Sequence, residues 1–193
     1  MKKLVRGVGI NDADYVVCPR INGKGVWCPY YRKWVSILTR CYSKKLHTEH
    51  PAYIGCKVSE EWKTFSNFKV WMETQDWVGK HLDKDILIPD NKLYSRDTCV
   101  FVSSEVNIFL TDSNAIRGNY LIGVCWNKQC EKFQAACSDG DGKNVYLGLF
   151  DTEIEAHLSW KAYKHKLAYK LADEQSDPRV AEALSSRFAP DSL

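Results

Sequence analysis

No stretch of this sequence is both long and apolar. Its start, Met1-Lys2-Lys3 followed by Leu-Val-Arg-Gly-Val-Gly, has no apolar core of signal-peptide length. Nothing later approaches the run of about 20 apolar residues that a membrane helix needs. The expectation is a cytoplasmic protein with reduced thiols and no membrane partner. Cys-x-x-Cys is also missing. The eight cysteines, at 18, 28, 41, 56, 99, 125, 130 and 137, contain no such pair, so the common spacing of structural zinc sites is lacking. His47-x-x-His50 near Cys41 and Cys56 is the one combination that leaves zinc open. The simpler reading makes the cysteines small core residues and the histidines part of a polar loop. Low-complexity segments and repeats of solenoid period are absent as well.

What is present points to folded protein. Of 193 residues, 45% are hydrophobic and 12% aromatic, which excludes a disordered chain. Seven Trp and ten Tyr supply enough large side chains for two small cores. The net charge of +3 is unevenly placed. Residues 1–50 carry ten basic side chains against Asp12, Asp14 and Glu49. Clustered Lys and Arg suit a polyanion such as nucleic acid, the plain alternative being a solvated basic face.

Residues 1–28, rich in Gly and Pro, read as an irregular basic arm with one hairpin. Pro29 opens a helix in which Trp34, Ile37, Leu38 and Cys41 form one apolar stripe, with Arg32, Lys33 and Arg40 off it. "KKLHTEHPAYIGCK" reads as a loop. Ser59 caps a helix whose core stripe is Trp62, Phe65, Phe68 and Met72. Residues 81–110 read as strand, turn, strand and helix, and 111–119 as a linker. Three strand-like runs follow, "YLIGVCWNK", "EKFQAACSD" and "KNVYLGLFD". A capping box, Thr152 with Glu155, then starts a helix running to about Ala172, with Ile154, Leu158, Ala162, His165, Ala168 and Ala172 as its inner stripe. Residues 174–193 read as a loose polar tail. The fold class is therefore α+β, with a region over 29–110 and a second domain over 120–173.

Four pieces of the second half carry a resemblance: Gly123-Val124, Lys132-Phe133-Gln134-Ala135, Leu147-Gly148-Leu149-Phe150, and Thr152 to Ala156. In order and spacing, over roughly residues 117–170, they resemble the Apetala-two (ethylene-response-factor) type of DNA-binding domain. The resemblance implies a three-stranded antiparallel sheet laid in the major groove and backed by one helix. It implies DNA contacts from Arg117, Trp126, Lys128, Lys132, Gln134, Lys143 and Tyr146. The arginines of that family are scarce here, and lysine lacks the bidentate fork that reads guanine.

The first half, through "YYRKWVSILTRCYS", "PAYIGCKVSEEWKTFSNFKVW", "LDKDIL…NKLYSRDTCVFV" and "SSEVN", resembles phage-borne HNH homing-endonuclease-like proteins, which pair such a region with an Apetala-two domain. This resemblance implies a phage origin, a ββα core and one divalent ion, Mg2+ or Mn2+, on oxygen ligands. By match to the motif, Asp83 takes the metal-binding Asp position and Asn107 the helix position. Lys84 falls where the catalytic histidine belongs, and a lysine ammonium cannot accept a proton. Strand alternation would put His81, Asp83 and Asp85 on one face, offering a base and an acidic pair; an ordinary polar strand face is the alternative. Arg32, Lys33 and Arg40 would extend phosphate contacts along the first helix.

Three functions are thus compatible with the sequence. One is a metal-dependent DNA endonuclease. Another is a catalytically silent binder of double-stranded DNA on a degenerate HNH core. The third is a phage factor that binds a host protein.

Overall fold

The computed structural model describes residues 3–111, 118–140 and 142–189, and it divides into two units, Met1–Val102 and Ser103–Leu193. The protein is α+β, with a three-stranded antiparallel sheet in the second unit. The division falls inside the region expected to span 29–110, eight residues before the expected linker.

In the first unit the expected hairpin forms between β1 (Arg20–Ile21) and β2 (Lys24–Gly25). Its two-residue turn, Asn22-Gly23, takes positive φ at both positions, as Asn-Gly turns favour. The rest of the arm is a packed strap. Val5, Val8 and Val17 lie against the core. A Cβ on Gly9 would meet Leu38 Cδ1 at 2.5 Å, so the backbone rests directly on the following helix. That helix, α1 (Pro29–Tyr42), buries Tyr31, Trp34, Ile37, Leu38 and Cys41, the expected stripe with one added aromatic.

The expected loop after α1 instead starts with a second helix, α2 (Lys44–Glu49), whose cap is the Ser43 hydroxyl accepting from Leu46 N. A single 3-10 turn, Pro51–Tyr53, leads to β3 (Lys57–Val58). The helix expected from Ser59 is split into a 3-10 turn, Glu61–Lys63, and α3 (Phe65–Glu73). The strap is the reason. Ile10 N donates to Lys63 O and Phe65 N donates to Ile10 O, which holds Thr64 extended between the two pieces. Asp12 then accepts from both the amide and the hydroxyl of Ser66 at the start of α3.

Strand β4 (His81–Asp83) is followed by β5 (Leu93–Tyr94) and β6 (Val100–Val102). The antiparallel partner of β4 is β6, with Asp83 opposite Val100, while β5 pairs in parallel with β3. Apolar Leu82, Val100, Phe101 and Val102 are all buried, so this short ladder is anchored on both faces.

The second unit opens with α4 (Ser104–Phe109), capped by the Ser103 hydroxyl accepting from Val106 N. The two strands of the expected ββα element therefore belong to one unit and its helix to the other. Next come β7 (Val124–Asn127), β8 (Lys132–Ser138) and β9 (Asn144–Phe150), ordered β7-β8-β9, with a bulge where Ala135 and Ala136 meet β9. Helix α5 (Glu153–Asp173) begins at the expected capping box. Its buried face is Ala156, Trp160, Ala168, Leu171 and Ala172. Ile154, Leu158 and Ala162, expected inside, are exposed. The helix carries apolar residues on several sides, and close approach to the sheet selects the small Ala156 and flat Trp160. Gly123, with φ +81°, passes so near Trp160 that a Cβ would lie 2.1 Å from the ring.

The expected loose tail is corrected by α6 (Pro178–Arg187), which starts at an Asp177 cap and buries Val180 and Leu184. Proline at the first helical position opens this helix instead of preventing it. Among the described residues, no helix is long and apolar enough to cross a membrane.

Candidate functional site

Strand β4 ends at Asp83, and the chain turns at once. Asp83 Oδ1 accepts from Asp85 N and Ile86 N, both at 2.7 Å, so this carboxylate closes the turn. Lys84, only 6% exposed, points inward. Its ammonium donates to Asp85 Oδ1 and Oδ2 at 2.5 and 2.6 Å and to Asn91 O at 2.5 Å, and it lies 6.0 Å from the Tyr94 ring centre. Asn91 returns a hydrogen bond from Nδ2 to Lys84 O at 2.8 Å. The expected alternation of His81, Asp83 and Asp85 fails for a simple reason: residue 85 lies past the end of the strand.

The metal expectation falls on Asp83 and Asn107. One Asp83 oxygen is occupied by two amides, the Asp85 carboxylate by Lys84, and Asn107 lies on α4 in the other unit. Among the described residues no group of three His, Cys, Asp or Glu side chains is arranged to hold a metal ion.

Two of the three α1 cations are also structural. Lys33 Nζ donates to Lys80 O at 2.9 Å and lies 5.7 Å from the Phe101 ring centre. Burial, with Arg40 and Arg32 nearby, pushes its pKa down. Arg40 stacks 5.5 Å from the Tyr53 ring. Burial opposes its charge, but Tyr94, Tyr53 and Asp83 outweigh it and hold the pKa up. Arg32 is exposed.

In the second unit the sheet has two distinct faces. Ala135 and Cys137 are buried on the α5 side. Trp126 is opposite Phe133, with ring centres 4.9 Å apart, so the register puts it on that same side. It was expected on the DNA-facing side. The other face carries Asn127, Lys132, Gln134 and Tyr146. Asn127 Nδ2 donates to Gln134 Oε1 at 3.0 Å, and Tyr146 is 59% exposed. Lys132 is ion-paired to Asp151 at 3.0 Å. Lys128 and Lys143 occupy the turns on either side of β8. Arg117 lies outside the described residues.

Charge is divided unequally. Met1–Val102 holds 17 Lys and Arg against 11 Asp and Glu, net +6, and Ser103–Leu193 holds 10 against 13, net −3. Any phosphate affinity in the second unit must come from local placement and not from net charge.

One constellation escaped the sequence reading. His157, Trp160, Lys161 and Lys164 follow the i, i+3, i+4, i+7 spacing of one helical face and line a cavity of about 350 Å³ with Phe109, Arg187 and Phe188. That spacing is legible in the sequence, but an inner stripe containing two lysines does not look like a core. Its third cation comes from α6, where a tail was expected. No protein-family model matches the chain, and no curated protein or solved structure matches it.

Proposed function

We propose that the protein binds double-stranded DNA through the polar face of the β7-β8-β9 sheet, on a scaffold whose first half is a degenerate HNH-like core without cleavage activity. The observation that carries this reading is the pairing of two features. The sheet offers Asn127, Lys132, Gln134 and Tyr146 on one open face, backed by α5. In the first unit, meanwhile, the Asp83–Lys84–Asp85 turn is spent on internal bonds. Amide and hydroxyl groups on such a face suit base edges, while lysines at its turns suit phosphates. The exposed Arg32 and the basic strap supply further phosphate contacts.

Fluorescence anisotropy with a labelled duplex tests the reading. The expected result is binding that weakens with salt, persists in EDTA, and is reduced in a Lys132→Ala, Tyr146→Ala double variant. Equal binding by parent and double variant overturns the sheet assignment. Nicking of supercoiled plasmid in magnesium or manganese, lost in Asp83→Ala, overturns the silent core and restores the endonuclease.

A further inference from the structure

The β1–β2 hairpin of the first unit is a ribbon that little of the fold covers. Its ladder continues below the two strands, with Val26 N donating to Pro19 O and Cys28 N to Val17 O, both at 2.8 Å. Every residue from 19 to 27 is exposed. By register and alternation, Pro19, Ile21, Lys24 and Val26 share one face, and Arg20, Gly25 and Trp27 share the other. Trp27 stacks on Tyr31 with ring centres 5.9 Å apart, which ties the base of the ribbon to α1. Ile21 at the tip and Val26 below it are each about half exposed. A lone two-stranded ribbon is marginal in water, and folding alone gives no reason to hold apolar side chains on its exposed face. Charge narrows what would cover them. Residues 15–48 hold seven Lys and Arg and no Asp or Glu. Neither Arg20 nor Lys24 has an ion-pair partner among the described residues.

We propose that this hairpin is a DNA-reading arm that enters the major groove of a duplex, with Ile21 and Val26 against thymine methyl groups and Arg20 and Lys24 on phosphates. Groove width selects the major groove, which at about 12 Å admits a two-stranded ribbon, whereas the minor groove at about 6 Å does not. The chain from Val17 to Ile21 spans roughly 14 Å at ~3.4 Å per residue. That reach suffices for a groove about 8.5 Å deep. The Asn22-Gly23 turn, with positive φ at both residues, keeps the tip narrow. Thymine methyl groups are the apolar feature of the major groove, and they match the apolar tip. A surface free of acids meets a polyanion without repulsion, and long cationic side chains reach the backbone on either side of the groove. The arm stands without the sheet reading, since ribbon and sheet lie in separate units.

Fluorescence anisotropy of the full chain with an alternating A·T duplex and its uracil counterpart decides it, because the two differ only in their major-groove methyl groups. The parent is expected to bind the thymine duplex about fourfold more tightly for each methyl group covered. Ile21→Ser should erase most of that preference and Ile21→Val should keep it, with circular dichroism unchanged in both. Lys24→Gln should weaken both duplexes alike and reduce the salt slope by about 1. The same changes are expected on the Lys132→Ala, Tyr146→Ala background, which separates the hairpin from the sheet. Equal binding of thymine and uracil duplexes by the parent, a preference that Ile21→Ser leaves intact, or an unchanged slope in Lys24→Gln overturns the proposal. Displacement of the Ile21- and Lys24-dependent binding by netropsin, which fills the minor groove, overturns the groove assignment. A dimer seen by sedimentation that Ile21→Ser dissociates, with duplex binding untouched, overturns the proposal in favour of ribbon pairing between two copies.

Discussion

The ammonium of Lys84 is bonded to both carboxylate oxygens of Asp85 while the two side chains occupy opposite environments. Lys84 is 7% exposed at its side chain, and Asp85 is 44% exposed. The partner that water can reach is the acid. Among the described residues the lysine has Asp85, the Asn91 carbonyl and the Tyr94 ring to compensate its charge, and of these Asp85 alone is charged, an asymmetry that decides which substitution hurts more.

Asp85→Asn is expected to destabilise the protein more than Lys84→Met. Removing the acid leaves a buried ammonium short of a partner, at a cost of about 3 kcal/mol. Removing the lysine leaves a carboxylate that hydrates, and methionine refills the stem's volume, so the loss should be nearer 1 kcal/mol. Urea titrations of the two variants check the order. Equal losses would mean that Lys84 finds other compensation in the folded state.

Gly123→Ala should be among the most damaging single-methyl changes in the second unit. The residue needs positive φ, and the new Cβ would overlap the Trp160 ring at 2.1 Å. Strain plus overpacking amounts to about 3 kcal/mol or more. Gly148→Ala, whose Cβ would meet Phe150 at 3.2 Å, should cost less, and thermal melts compare the two.

Buried thiols make stability fall in alkali. Burial pushes Cys41 and Cys99 up to about 12 from an ordinary value of 9.0, so the folded state keeps protons that the unfolded state releases. Their contribution is complete below pH 9 and is lost as pH rises toward 12. Melting temperatures taken upward from pH 9 should therefore decline, and less steeply in Cys41→Ala. In native protein near neutrality, a thiol reagent should label the exposed Cys125 and Cys130 first, and Cys41, Cys56, Cys99 and Cys137 only on unfolding.

Where periodicity and burial agree, the sequence was readable. The α1 stripe, the capping box of α5, the β1–β2 hairpin and the three-strand run all appear as expected, because each is decided by neighbours within one or two turns. The misses share a long-range cause. The helix from Ser59 breaks at Thr64 because Ile10, over fifty residues earlier, bonds across it. Lys84 reads as a displaced catalytic position, but its partners Asn91 and Tyr94 come from the far side of the turn. The buried face of α5 is not legible in the helix alone, because the sheet chooses among its several apolar sides. The basic residues on α1 could not be sorted by spacing either, since Lys33 is claimed by Lys80 and Arg40 by Tyr53 and Tyr94.

Lys132 on the sheet and Lys33 on α1 should separate binding from folding. Lys132→Ala removes a cation from the open face, and it is expected to weaken duplex binding across sequences and reduce the salt slope by about 1. The gain is blunted in the parent by the Asp151 pair, so Asp151→Asn should tighten binding. Lys33→Ala should leave the slope unchanged and lower the melting temperature, because its ammonium is already bonded inside the protein. A slope change from Lys33→Ala and none from Lys132→Ala would move the interface to α1.

The last twenty residues offer the sharpest contrast between composition and packing. Half of α6 is polar, yet Val180 is 2% and Leu184 0% exposed, and both lie on the side that packs against α5. Asp177 sets the entry, accepting from Arg179 N at 2.9 Å and pairing with its guanidinium at 2.7 Å. That bonding, from the Arg179 side chain above all, holds the Asp177 carboxyl below its ordinary range, so the cap persists until acid protonates it. Leu184→Ala should cost about 3 kcal/mol through transfer and cavity terms together. Asp177→Ala should cost about 1 kcal/mol as a lost cap, with the difference from parent shrinking in acid as the carboxyl is neutralised. Ending the chain at residue 176 removes both buried side chains and the Asp177 cap. It should therefore lower the melting temperature. Melts of the shortened chain that match the parent would return these residues to the status of a loose tail.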